Sequence, residues 1–279
     1  MKYKINYELI DSAKKKICII IFGFVPRSFR FTYQSIISNI INPLKSNYDV
    51  KVYHYALLSR SKKIESKRKE ESNDIILNND YNLINCDKII YEYQEDIDLK
   101  IIECKSSFYD EITLKNLSRY LYQEAQCIKH FPINNFDACV MINNEEMYIN
   151  KINFDEINKA ITRNCCFTKS FSRYGGTSDG FYICKPSILN IICNRYNEII
   201  LGNNKYCGNS NGRINTSEAI LKITLDKNNI DDLDSNIFCL KVRSNGKFSN
   251  SGLDGKLVEK IGIYVSLDKK NELLKKYWD

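Results

Sequence analysis

The chain of 279 residues has only two His, one Trp, four Pro and 11 Gly. Few Gly and Pro beside 12% aromatics exclude a collagen-like, linker-like or wholly disordered protein. His54 and His130 are the whole histidine supply, and no two cysteines stand in C-x-x-C spacing, so zinc-ligand patterns are absent. No stretch reaches the roughly 18 apolar residues of a membrane span. Lys14 to Lys16 followed by Ile17 to Val25 imitates a signal peptide. The apolar run is short, however, and leads into Pro26-Arg27 without a small-residue cleavage site, so a buried strand in a soluble, cytoplasmic protein is expected. A large excess of one charge is also missing. With 41 Lys+Arg against 34 Asp+Glu the net charge is +7, enough to tolerate a phosphate-bearing ligand but not clustered as in a dedicated nucleic-acid binder.

What is plentiful is cysteine, Tyr and Phe: 11, 19 and 13 residues. The cysteines lie mostly among apolar neighbours and read as buried free thiols rather than a disulfide framework, the vicinal Cys165-Cys166 included. The wealth of Ile, Asn, Lys and Tyr reports an AT-rich genome, viral or microbial, and no function. The length suffices for one large domain or two small ones.

Ile17 to Phe24 is a β-branched run without alternation, as in a central parallel strand covered on both faces. Phe31 to Leu44 has helical spacing and is expected to close at Asn42-Pro43; Tyr48 to Leu57 alternates as a second strand. This β-α-β opening predicts an α/β fold with a mostly parallel, Rossmann-type sheet flanked by helices. A strand over Lys88 to Tyr93 and an amphipathic helix over Leu114 to Phe131 follow. That helix has Leu117, Leu121, Ala125 and Ile128 on its buried stripe and Arg119, Gln123, Glu124 and Lys129 off it. Next come a buried strand from Phe136 to Ile142, a helix at Phe154 to Ile161 and a Gly-rich turn over Tyr174 to Gly180. A strand at Phe181 to Cys184, a helix from Ser187 to Ile200 capped by Ser187, and a Gly/Asn-rich loop over Leu201 to Ile214 lead to a helix capped by Thr216 or Ser217. A strand from Phe238 to Arg243, a turn at Ser244 to Gly246 and a C-terminal mixed-charge helix complete the pattern. The charge run from Arg60 to Glu71 reads as a solvated face.

Three places can carry chemistry. Gly23 to Arg30 is the turn after the first strand, where a glycine lets a ligand approach and Arg27 and Arg30 offer forked cations suited to phosphate. It matches neither a Walker loop nor a dinucleotide fingerprint. Glu145 and Glu146 are adjacent carboxylates at a strand end, able to hold a divalent cation on a diphosphate or simply to form an acidic turn. Asp179 follows Gly175-Gly176, and Glu218 opens a helix whose dipole alone would favour it.

These segments in order resemble a diffuse family of glycosyltransferase-like proteins with the GT-A fold. The resemblance is carried by KICIIIFGFVPRSFRFTYQSIISNIINPLKSNYDVKVYHY, a helix with Gln123 and Lys129, FDACVMINNEEMYI, YGGTSDGFYICKPSIL, TSEAILKITLDKNNI and RSNG, over about residues 15 to 250. It implies a single domain over residues 1–279, with a nucleotide-binding half to about 135 and an acceptor half beyond. It implies a nucleotide-sugar donor bound near Gly23, Arg27 and Arg30, and a glycan or protein acceptor. It further implies Mn²⁺ or Mg²⁺ held by Glu146 or Glu145, and catalysis by Asp179, with Glu218 the rival for general base. No nucleic-acid partner and no membrane span are expected. The family's R-x-D or D-x-D is Asn144-x-Glu146 or Asn143-x-Glu145 here, and the Arg after its Asp is Gly180. A catalytically degenerate, glycan- or nucleotide-sugar-binding protein is therefore the alternative.

Overall fold

The computed structural model describes residues 14–61, 78–98, 111–198, 216–244 and Gly246. Most of the Arg60 to Glu71 run, the loop from Leu201 to Ile214, the C-terminal helix, Asn245, Cys104 and Cys207 lie outside the described residues.

The elements run β1 (Lys16–Phe24), α1 (Val25–Ile36), α2 (Asn42–Asn47), β2 (Asp49–Leu58), β3 (Lys88–Tyr93), α3 (Gln94–Asp98), α4 (Glu111–His130), β4 (Ala138–Asn143) and β5 (Glu146–Tyr148). They continue with α5 (Phe154–Thr162), β6 (Cys165–Lys169), β7 (Phe181–Cys184), α6 (Pro186–Cys193), α7 (Ser217–Lys227), β8 (Asp231–Ser235) and β9 (Cys239–Lys241). Seven strands form one sheet in the order β3-β2-β1-β4-β7-β6-β8, and β5 pairs with β9 in a small ribbon. β1, β2, β3 and β4 are mutually parallel, β7 is antiparallel to β4 and β6, and β8 is parallel to β6. The fold is α/β with a mostly parallel, Rossmann-like sheet between helices, as the sequence pattern predicts.

The missing alternation in β1 has its reason in two cores. Ile17, Ile19 and Ile21 face one cluster with α1, α2 and α5, while Cys18, Ile20 and Phe22 face another with α4, α6 and α7. In the second core four cysteines stand abreast on neighbouring strands: Cys18 beside Cys139, Cys139 beside Cys184, Cys184 beside Cys166. Small, polarisable thiols fill a layer beneath Cys127 and Cys193 of the covering helices. The nine described cysteines are free.

The first helix differs from expectation at both ends. It starts directly at Val25, and Asn42-Pro43 does not close it: a π-helical turn at Ile37–Ile41 passes into α2. Pro43 has no N–H to give the carbonyl four residues back, so that of Asn39 accepts from Ile152 N at 2.9 Å instead. Likewise Lys185, not Ser187, is the N-cap residue of α6, with Pro186 in its first turn. No helix among the described residues is long and apolar enough to cross a membrane.

Candidate functional site

In the order β3-β2-β1-β4 the chain reverses direction of growth between β1 and β4, which makes their carboxyl ends a topological switch point. A cleft of about 960 Å³ opens there, lined by Gly23 and Phe24 at the end of β1, Leu57 of β2 and Ser59 after it, Gln94 after β3 and Asn143 of β4. Gly23, Arg27, Glu145, Glu146, Asp179 and Glu218 all line this cleft. Arg30 does not: its guanidinium turns to Asp80 at 3.6 Å and lies over Phe31.

Gly23 carries a packing role that the sequence does not disclose. Its φ is +138°, and a Cβ would sit 2.2 Å from Asn144 Oδ1, so the space over its Cα belongs to a buried amide. Asn144 is fully buried, with its N–H donating to the Phe22 carbonyl at 2.8 Å and its own carbonyl accepting from Thr32 Oγ1 at 2.6 Å. It anchors the β4 end to β1 and α1.

The adjacent carboxylates after β4 are both engaged. Glu145 N donates to Asn143 Oδ1 at 2.8 Å, a tight turn that sends the two side chains to different partners. Glu145 accepts from Arg27 Nη1 at 2.6 Å and from Lys241 Nζ at 3.0 Å. Burial opposes its ionisation, but the Arg27 and Lys241 charges outweigh that and hold the carboxyl at about 2. Glu146 pairs through Oε1 with Lys169 Nζ, and its Oε2 accepts from Cys239 Sγ at 3.2 Å. Lys169 is only 4% exposed, and although burial disfavours its ammonium, the Glu146 carboxylate raises its pKa. A divalent ion on Glu146 would therefore have to displace this ammonium or stand beside it. At about 4 Å and an effective dielectric constant of 20, the second choice costs about 8 kcal/mol. Both carboxylates from which a metal site was expected are thus paired with cations, and no group of three or more His, Cys, Asp or Glu suited to a metal occurs among the described residues.

Asp179 and Glu218 are brought together by backbone. The Thr177 N–H donates to the Glu218 carbonyl at 3.0 Å, joining the Gly-rich turn to the first turn of α7. A Cβ on Gly176 would lie 2.2 Å from that carbonyl oxygen, so only glycine permits the approach. Asp232 clamps the turn by accepting from Thr177 Oγ1 at 2.6 Å and Arg173 Nη1 at 2.8 Å. Thr216 caps α7, its hydroxyl accepting from Ala219 N at 3.2 Å. Burial and the neighbouring Asp179 charge raise Glu218 to about 7. The other cleft carboxylates are engaged by partners: Glu95 by the Ser59 hydroxyl, Asp98 by Arg119 and Lys115, Glu145 and Glu146 as above. Asp179 and Glu218 form no ion pair among the described residues.

Beneath this pair lies a buried network that sequence reasoning missed. Glu124, expected on the polar face of its helix, is fully buried and paired with the equally buried Arg195. Tyr182 donates to Glu124 Oε1 at 2.8 Å and accepts from Gly180 N at 3.3 Å, next to Asp179. Arg195 Nη1 donates to the Ser217 carbonyl at 3.4 Å, next to Glu218. One ion pair thus braces the backbone beside both carboxylates. The single signal in sequence was an Arg following the apolar run of α6.

No protein-family model and no curated protein sequence matches the chain.

Proposed function

We propose that the protein is a glycosyltransferase that moves a sugar from a nucleotide-sugar donor to a hydroxyl of an acceptor. The observation that carries this is the couple Asp179 and Glu218, in no ion pair among the described residues, in the same switch-point cleft as Arg27 and Lys241. Sugar transfer needs two things of a protein: a base for the attacking hydroxyl, and positive charge for the departing diphosphate. Glu218, held at about 7, is poised to accept a proton near neutral pH. Burial, with the neighbouring Asp179 charge, sets that value, and Asp179 orients the hydroxyl. The order of segments that resembles GT-A glycosyltransferases supports the same conclusion.

The test is nucleoside diphosphate release from a panel of nucleotide-sugars, by hydrolysis or to simple sugars. Glu218→Gln and Asp179→Asn should each lower turnover by about two to four powers of ten while leaving donor affinity within about threefold. Turnover indifferent to both substitutions refutes the assignment. A second reading, a donor- or glycan-binding protein without catalysis, is favoured by the internal ion-pairing of Glu145 and Glu146. Tight donor binding with no release from any sugar would select it.

A further inference from the structure

Lys169 is a buried ammonium to which the proposed reaction gives no part. It ends β6, is 4% exposed and does not line the cleft. It pairs with Glu146, whose other oxygen accepts from Cys239 Sγ at 3.2 Å. Its Nζ lies 3.6 Å from the point where a Cβ on Gly180 would stand, and the Tyr120 hydroxyl lies 3.7 Å from the same point. Chain neighbours of Gly180 aside, Nζ is the charged group nearest that point, so the ion pair turns its positive end toward the residue after Asp179. Gly180 is pinned there. Its N–H donates to the Tyr182 hydroxyl at 3.3 Å, its carbonyl accepts from Asn143 N at 2.8 Å, and its φ of +79° suits glycine.

The charges around Asp179 and Glu218 come from several elements. Glu218 on α7 feels Asp179 from the Gly-rich turn and Lys169 from β6, besides the Thr216 hydroxyl of its own cap. The Asp179 charge is felt by Tyr120 and Glu124 of α4, Tyr182 of β7, Arg195 after α6 and Lys169. Arg195 is spent on Glu124 beneath the couple, whereas Lys169 acts on both of its members. Two neighbouring carboxyl groups in a partly buried place hold a proton tightly unless a cation favours the charged form.

We propose that Lys169 is a positioning residue for this site: its ammonium, fixed by Glu146 behind the cleft wall, stabilises negative charge on the Asp179 and Glu218 couple and so keeps Glu218 available as a base. Glu146 thereby acts on the reaction through Lys169. The purpose of the device rests on the transferase reading above, but its readout needs no substrate.

The test is a titration of the side-chain carboxyl groups by NMR in isotopically labelled protein, Glu218 being the resonance that Glu218→Gln removes. Lys169→Met should raise the Glu218 midpoint by more than about half a pH unit, because a favourable charge is gone. A merely structural role gives the opposite sign, since a loosened wall admits water and lets the midpoint fall from about 7 toward 4.5. A midpoint that falls or stays overturns the proposal. Lys169→Met strands the Glu146 carboxylate, so the double variant Lys169→Met with Glu146→Gln, which strands no charge, is titrated beside it and serves alone should the single variant fail to fold. It should raise the midpoint too, by less. No rise there means that Glu146 cancels Lys169, and overturns the proposal. Nucleoside diphosphate release is then followed against pH in the same variants, and the limb that reports the base should move upward with the midpoint. A raised midpoint without turnover in any protein supports the hold of Lys169 on the couple and sinks the transferase. Turnover whose pH profile stays while the midpoint moves keeps the transferase and overturns the part given to Lys169.

Discussion

Two clusters built from the same chemistry, an arginine against a glutamate, lie on either side of the candidate site and have opposite natures. Glu124 and Arg195 are both fully buried, and their remaining hydrogen bonds go to Tyr182 and to backbone carbonyls. Glu145 is as hidden, but its cations Arg27 and Lys241 reach out into the cleft. The first pair has nothing left to offer a ligand and serves as a brace. The second keeps part of each cation exposed on the cleft wall. Exposure of the cation, rather than the presence of an ion pair, separates framework from binding surface.

The comparison breaks most sharply at the brace. Arg195→Met strands a buried carboxylate and should destabilise the fold by about 3–5 kcal/mol in urea melts. The double variant Glu124→Leu with Arg195→Met should lose clearly less than the sum of the singles, because no charge is stranded. Strict additivity would show that the pair is not coupled. Where Arg195→Met still folds, kcat should fall more than KM rises, since only the backbone beside Asp179 and Glu218 shifts.

A smaller effect, on the order of 1–2 kcal/mol after solvent screening, concerns pH and carries opposite signs at the two carboxylates. Glu145 is lowered from 4.5 to about 2, so its contribution is present above about pH 4.5 and lost as the pH falls toward 2. Glu218 is raised from 4.5 to about 7, so stability tied to its neutral form is present below about pH 4.5 and lost as the pH rises toward 7. Glu145→Gln should therefore flatten the acid limb of the stability curve. Glu218→Gln should flatten the limb between about pH 4.5 and 7 and raise stability above it. Equal slopes in wild type and Glu218→Gln would remove the case for a perturbed base. The smallest effect is expected at Lys222, whose exposed pairing with Asp226 one turn away should be worth about 0.3–0.5 kcal/mol. A Lys222→Ala melt showing more than about 1 kcal/mol would contradict the rule that exposure makes such pairs weak.

Much of the frame was legible beforehand, for a local reason. Burial on both faces leaves its mark on consecutive residues, so Ile17 to Phe24 and Ala138 to Ile142 announce central strands, and their glycine and carboxylate ends line the cleft. Helix ends were less legible: Asn42-Pro43 looks like a stop until Ile152, from a distant segment, supplies the N–H that Asn39 would otherwise miss. The candidate residues were legible as types but not in their engagement. Glu145 and Glu146 read as metal ligands because sequence shows two acids at a strand end and says nothing of Lys169, Arg27 or Lys241, which arrive from three other elements.

By itself the sequence determined the class of fold and the central strands and narrowed the cap of α7 to Thr216 or Ser217, because periodicity, β-branching and capping act over a few residues. Only the tertiary structure decided which charges are spent on one another. Glu124 is a surface glutamate by helical spacing and a buried one by its meeting with Arg195, 71 residues on. Arg30 stands three residues from Arg27 yet turns to Asp80, and Gly176 is glycine because the Glu218 carbonyl packs against it. Electrostatic pairing and steric approach depend on distance in space, and distances across such separations are set by the packing of whole elements.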